Sequence, residues 1–240
     1  VKLKLETIPV WDAFAADVEC PLCLLMDASH RDAVSYYTGS SVMHPETRQE
    51  VNRTGFCPTH WKSILEAGSA QSVALLSHTF LLETIEKTGK ALEALSGETK
   101  GKRVKKLAEE VSSVLEKRSE GCLVCDRMKE RRERYLYTII KLFFDDSEFR
   151  RTFLDSRGFC LYHTQDLFTM ARKMLRDPQY VEFIKDLAIV TSASLERLEG
   201  EVLWMTQKYK SENADKPWNG CENAHSRSVK TFTGDGRIYH

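Results

Sequence analysis

The chain has 240 residues, 42% hydrophobic and 29% charged, with 35 Lys+Arg against 35 Asp+Glu. That length can bury a real core, and the composition is that of a soluble globular protein. The zero net charge argues against a dominant nucleic-acid surface, which needs surplus cations, and no apolar run approaches the roughly 18 residues that span a bilayer.

Taken in chain order, the opening VKLKLETIPVW lacks the apolar stretch of a secretory signal. Cys20-Pro21-Leu22-Cys23 comes next, followed by HPETRQEVNRT, a short helix opened by proline and closed at Gly55. Glycine there suits a left-handed helix end, and Gly55-Phe56-Cys57-Pro58-Thr59-His60 then starts another helix. Residues 71–95 carry Val73, Leu76, Phe80, Ile85, Leu92 and Leu95 at helical spacing. Gly97–Gly101 reads as a linker, and Val104, Leu107, Val111, Val114 and Leu115 stripe the next helix. Cys122-Leu123-Val124-Cys125, a short helix in DDSEFRRTFLDSR, and Gly158-Phe159-Cys160-Leu161-Tyr162-His163 repeat the earlier order. Asp177-Pro178 opens a last long helix with Tyr180, Phe183, Ile184, Leu187, Leu195, Leu198 and Val202. No sustained period-two alternation occurs, so an all-α fold without a sheet is expected. From about residue 209 the sequence is polar and lacks an apolar period, so it reads as a tail, with Trp218 and Phe232 the residues able to anchor it.

The two Cys-x-x-Cys turns are offset by 102 residues and the two Gly-Phe-Cys-x-x-His turns by 103. The expectation is therefore two tandem pseudo-symmetric helical repeats, 1–100 and 101–208, with the tail at 209–240. Each repeat contains three cysteines and one histidine, a closed tetrahedral ligand set for zinc. Cys20, Cys23, Cys57 and His60 are expected to hold one ion, and Cys122, Cys125, Cys160 and His163 a second. The 33 or 34 residues between half-sites suffice for two helices and a turn, so each set could close as the ends of a hairpin.

Six ordinary buried cysteines would leave the matched histidines and glycines unexplained. A redox dithiol at Cys20 and Cys23 lacks its usual strand–helix context. An iron–sulfur cluster, usually held by cysteine alone, suits the ligands less well than zinc. His30, His44 and His78 have no histidine counterpart in the other repeat, and Cys221 with His225 makes only half a site. Lys129–Arg134, interleaved with glutamates, reads as a solvated helix face. No catalytic motif is visible, so no catalytic residue is named and the reading leans away from an enzyme.

The pair Glu19-Cys20-Pro21-Leu22-Cys23 and Gly55–His60, repeated as Cys122–Cys125 and Gly158–His163, resembles an uncharacterised bacterial family of unknown function. The resemblance covers roughly residues 8–205. It implies a cytoplasmic bacterial protein and supplies no activity. The leading expectation is a zinc-binding helical scaffold that binds another protein. A thiol-based redox or metal sensor is the first alternative. Nucleic-acid binding through Lys102–Lys106 and Lys129–Arg134 is the second, opposed by the neutral charge.

Overall fold

The computed structural model describes residues 6–234, which form eleven α-helices, two short 3-10 turns and no strand. The helices are α1 Thr7–Ala15, α2 Pro21–Thr38, α3 Pro45–Thr54, α4 Pro58–Ala67, α5 Ala70–Gly97 and α6 Gly101–Glu120. They continue with α7 Leu123–Asp145, α8 Ser147–Leu154, α9 Leu161–Met174, α10 Gln179–Lys208 and α11 Ala224–Thr233. The expected all-α class is what the chain adopts. No helix among the described residues is long and apolar enough to cross a membrane.

Local signals set the boundaries. Pro45 and Pro58 stand in the first turns of α3 and α4, where a missing N–H costs nothing. Asp146 caps α8 by accepting from the backbone N–H of Glu148 at 2.9 Å and Phe149 at 3.1 Å. Between α5 and α6 the Glu98 carboxylate accepts from the N–H of Thr99 and Lys100, folding the expected linker into a tight turn.

The chain divides into two compact units that do not follow the repeat boundaries at 100/101 and 208/209. One unit holds residues 6–28 with 130–234; the other holds 29–129. The boundary expected at 100/101 falls in the turn of the α5–α6 hairpin, whose two helices pack on each other inside the second unit. Helices α2 and α7 each contribute to both units.

Aromatic side chains form the core of the first unit. Phe14, Phe143, Phe149, Phe153, Phe159 and Phe183 are buried, with Phe143 and Phe183 meeting edge to face at 5.0 Å. Arg150 of α8 reaches Glu182 and Asp186 on α10 at 2.5 and 2.6 Å. The second unit is centred on Tyr37, Val42, Val51, Phe56, Ile64 and Leu76. Its hairpin is less enclosed than the expected stripes imply. Of the α5 stripe only Leu76 is fully buried; Ile85 stays 63% and Leu92 49% exposed. Leu115 on α6 is also half exposed.

The tail reading needs correction up to residue 234; its last six residues lie outside the described ones. Helix α11 packs on α9 and α10. Its anchors are buried Cys221, Ala224 and Thr231 rather than Phe232, which is 53% exposed. Trp218 does meet Tyr209 edge-on at 5.9 Å. Lys208, buried at the end of α10, donates to the carbonyls of Asn213 and Ala214 at 3.1 and 2.6 Å and turns the chain back.

Candidate metal centres

All eight sequence-selected residues gather into two groups, but with exchanged partners. Cys20 and Cys23 meet Cys160 and His163; Cys57 and His60 meet Cys122 and Cys125. The expectation of one closed set per repeat is therefore overturned. Each mixed set lies wholly within one compact unit; we call the first the outer centre and the second the inner centre.

Helix lengths explain the exchange. Cys20 and Cys23 sit at the start of α2, and Cys57 follows α3. At about 1.5 Å per residue, the 18 residues of α2 run about 27 Å and the 10 of α3 return only about 15 Å. In the other repeat the 23 residues of α7 run about 34 Å and the 8 of α8 return about 12 Å. Neither half-site can come back to its own Cys-x-x-Cys turn. Loop entropy does not oppose the exchange strongly. The outer centre closes over residues 24–159 and the inner over 61–121, against 33 or 34 residues for local closure. The combined difference is about 2 kcal/mol, small beside the roughly 10–16 kcal/mol of a structural zinc site. The loops are nested, the inner within the outer.

The ligand atoms fit a tetrahedral ion. His163 Nδ1 lies 3.4, 3.4 and 3.3 Å from the sulfurs of Cys20, Cys23 and Cys160. His60 Nδ1 lies 3.2, 3.2 and 3.3 Å from those of Cys57, Cys122 and Cys125. Sulfur pairs stand 3.7 Å apart at Cys23–Cys160 and 4.0 Å at Cys57–Cys125. Zinc bonds of about 2.3 Å to sulfur and about 2.0–2.1 Å to nitrogen would set these separations near 3.6 Å for N···S and about 3.8 Å for S···S. A disulfide, at about 2.05 Å, is a different geometry, and none of the seven cysteines forms one.

Ionisation also favours a cation. Burial, then the crowding of Cys160 and Cys23, pushes the Cys20 thiol well above its ordinary value. Hydrogen bonds from Cys20 and Cys23, outweighing burial, hold the Cys160 thiol well below it. Burial raises Cys122. In the outer set one thiolate is thus stabilised while Cys20 is opposed. A divalent ion at the centre of that set would relieve the opposition.

Each Gly-Phe-Cys triplet has a division of labour. Gly55 adopts φ 77 and ψ −160, an extended glycine-only conformation rather than the left-handed helix end expected. Gly158 has φ 104. A Cβ on Gly55 would stand 2.8 Å from the Phe80 ring, and one on Gly158 2.6 Å from the Cβ of Ser194. Phe56 and Phe159 are 2% exposed and seat the turn in the core. Cys57 and Cys160 then stand at the N-cap positions of α4 and α9, the Cys160 sulfur accepting from the His163 N–H, and each joins its Cys/His group. At the inner centre the Gly55 carbonyl accepts from Leu123 N–H at 3.1 Å, tying the two ligand turns together.

Sequence reasoning missed what surrounds the ligands. Glu19, beside Cys20, meets Arg157, Arg197 and Arg227 at 3.4, 2.5 and 2.7 Å. Asp17 pairs with Arg157, and Glu201 with Arg197 and Arg227, completing three carboxylates against three guanidiniums. Burial pushes the Glu19 carboxyl up, but hydrogen bonds and charge from Arg197 and Arg227 outweigh it and hold it below the usual range. Arg227 is on α11, so this cluster fastens α11 beside the outer centre. A Cβ on Gly234, just past α11, would stand 3.8 Å from the Cys160 sulfur. At the inner centre, buried Arg118 instead donates to the carbonyls of Asn52 and Phe80 at 3.1 and 2.9 Å. Its guanidinium lies 3.9 Å over the Phe80 ring.

The remaining candidates stay apart. His30, His44, His78, Cys221 and His225 join no ligand group among the described residues. His30 stacks obliquely on His60, with ring centroids 5.3 Å apart. In the basic run, Arg132 pairs with Asp166 and Arg134 with Glu6.

Comparison with curated proteins and with solved structures returns no match. The model of the Family of unknown function (DUF6062) matches residues 1–237, and with its paired Cys/His turns the chain belongs to that family.

Proposed function

We propose that this protein is a zinc-stapled helical scaffold, carrying one zinc at Cys20, Cys23, Cys160 and His163 and a second at Cys57, His60, Cys122 and Cys125. The observation that carries the reading is the imidazole Nδ1 placed 3.2–3.4 Å from three sulfurs in both sets. Four protein ligands complete a zinc sphere and leave no position for substrate, as in structural rather than catalytic sites. The exposed Leu81, Leu82, Ile85 and Leu92 on α5 support a role in binding another protein along the α5–α6 hairpin. Neutral net charge disfavours nucleic acid as the partner. Metal analysis of protein purified without chelator should return two zinc ions per chain and no visible absorption. One ion, or the charge-transfer bands of an iron–sulfur cluster, would refute the assignment.

A further inference from the structure

The two centres differ in how their sulfurs meet solvent. At the outer centre Cys20 and Cys23 are 6% and Cys160 1% exposed. A cavity of about 230 Å³ is lined by these three cysteines together with Asp17, Asp27 and, from α11, Arg227, Lys230 and Thr231. At the inner centre Cys122 is buried and Cys125 is partly exposed, while Cys57 is partly exposed as a residue but buried within its ligand group. Those two sulfurs come from separate helix N-termini and lie 4.0 Å apart. Oxidation selects cysteines that are accessible.

Building on the zinc assignment, we propose that Cys57 and Cys125 form a peroxide-sensitive pair whose oxidation to a disulfide releases the inner ion while the outer ion stays bound. The oxidant is hydrogen peroxide or another small hydroperoxide. One thiolate attacks the peroxide, breaking its O–O bond, and becomes a sulfenic acid as hydroxide leaves. The second thiolate attacks that sulfur, forming the S–S bond and expelling a second hydroxide. Two protons from solvent convert both hydroxides to water when the oxidant is hydrogen peroxide. Two cysteines lose two electrons and the peroxide gains them. The inner set then keeps only Cys122 and His60, too few to hold zinc. A dithiol reductant and zinc reverse the change.

The test uses the full chain in its zinc form. Metal content is measured first: fewer than two zinc ions would refute the zinc assignment itself. With two ions present, peroxide is added alongside a chromogenic zinc indicator, and disulfides are mapped by mass spectrometry. The expected result is release of one equivalent ~10-fold or more faster than the second, with a Cys57–Cys125 disulfide, and recovery on reduction. No release, release of both ions at one rate, earlier loss of the outer ion, or a first disulfide that is not Cys57–Cys125 would overturn the proposal. Because the mapping uses the unmutated chain, it does not depend on a cysteine variant folding.

Discussion

The outer and inner centres use the same ligand types, the same turns and the same imidazole nitrogen, yet their surroundings are built differently. Around the outer one, a charge-balanced cluster of six side chains fastens a C-terminal helix beside Cys160. Around the inner one, a single buried arginine holds two backbone carbonyls and stacks on a ring. A Cys3His set thus dictates local geometry, while shielding is supplied by elements far away in sequence. That separation lets one ligand pattern support two different degrees of exposure.

The largest expected effect separates the centres by their partners. Cys160→Ser should release one ion and make Cys20 and Cys23 alkylatable while Cys57, Cys122 and Cys125 stay protected. Stability should fall by more than about 5 kcal/mol, since zinc binding rivals the whole stability of a domain. Alkylation of Cys122 and Cys125 instead would restore local pairing and void the exchange. Cys57→Ser should show the mirror pattern, with Cys122 and Cys125 exposed and the outer set protected.

Next come the glycines. Gly158→Ala is expected to cost about 3 kcal/mol and Gly55→Ala about 2 kcal/mol in thermal or denaturant unfolding. Both have positive φ. The added methyl at Gly158 meets the Cβ of Ser194, which moves only with α10, whereas at Gly55 it meets the edge of a ring that can turn. Equal costs would show that φ alone, not the contact, decides.

A smaller change should loosen only the outer centre. Arg227→Gln removes the guanidinium shared by Glu19 and Glu201. It should cost about 1–3 kcal/mol and speed outer-zinc transfer to a chelator, with inner-zinc transfer unchanged. Acceleration at both centres would show that α11 shields more than one.

The smallest effect is in pH. The Glu19 carboxyl is held below its ordinary value of 4.5, so the folded state prefers it charged. Its contribution is fully present above that pH and is lost as pH falls through the lower folded value. Glu19→Gln should therefore flatten the acid limb of a stability profile slightly, leaving the neutral plateau lower. An unchanged acid limb would remove Glu19 from the titrating set.

Much of this was readable from the residues. Helical periodicity, proline and aspartate starts and the Gly97–Gly101 turn located the elements, and the duplicated spacing picked out all eight residues that gather in the two Cys/His groups. Their partnership was not read, although a clue was present. Pro45 and Gly55 bracket a helix much shorter than the one that follows Cys23, so the two could not be equal arms of a hairpin. Helix α11 escaped because its apolar face is narrow: Ala224, Ser228 and Thr231 are small side chains that give no hydrophobic period but pack closely. The arginines around Glu19 come from residues 157, 197 and 227, and nothing local links them. Ile85 and Leu92 show the reverse failure, because periodicity reveals an apolar face without saying whether anything covers it.

The nesting of one loop inside the other sets an order in time. During synthesis Cys20 and Cys23 emerge early, but Cys160 and His163 follow only after residues 24–159 have been added. At about 5–20 residues per second, the first pair waits roughly 7–28 s for its partners. The inner set is complete once Cys125 has appeared, well before the outer one. On the zinc assignment proposed above, a nascent chain can close the inner set around one ion while Cys20 and Cys23 are still an open half-site, and the outer closure then joins the start of α2 to the start of α9.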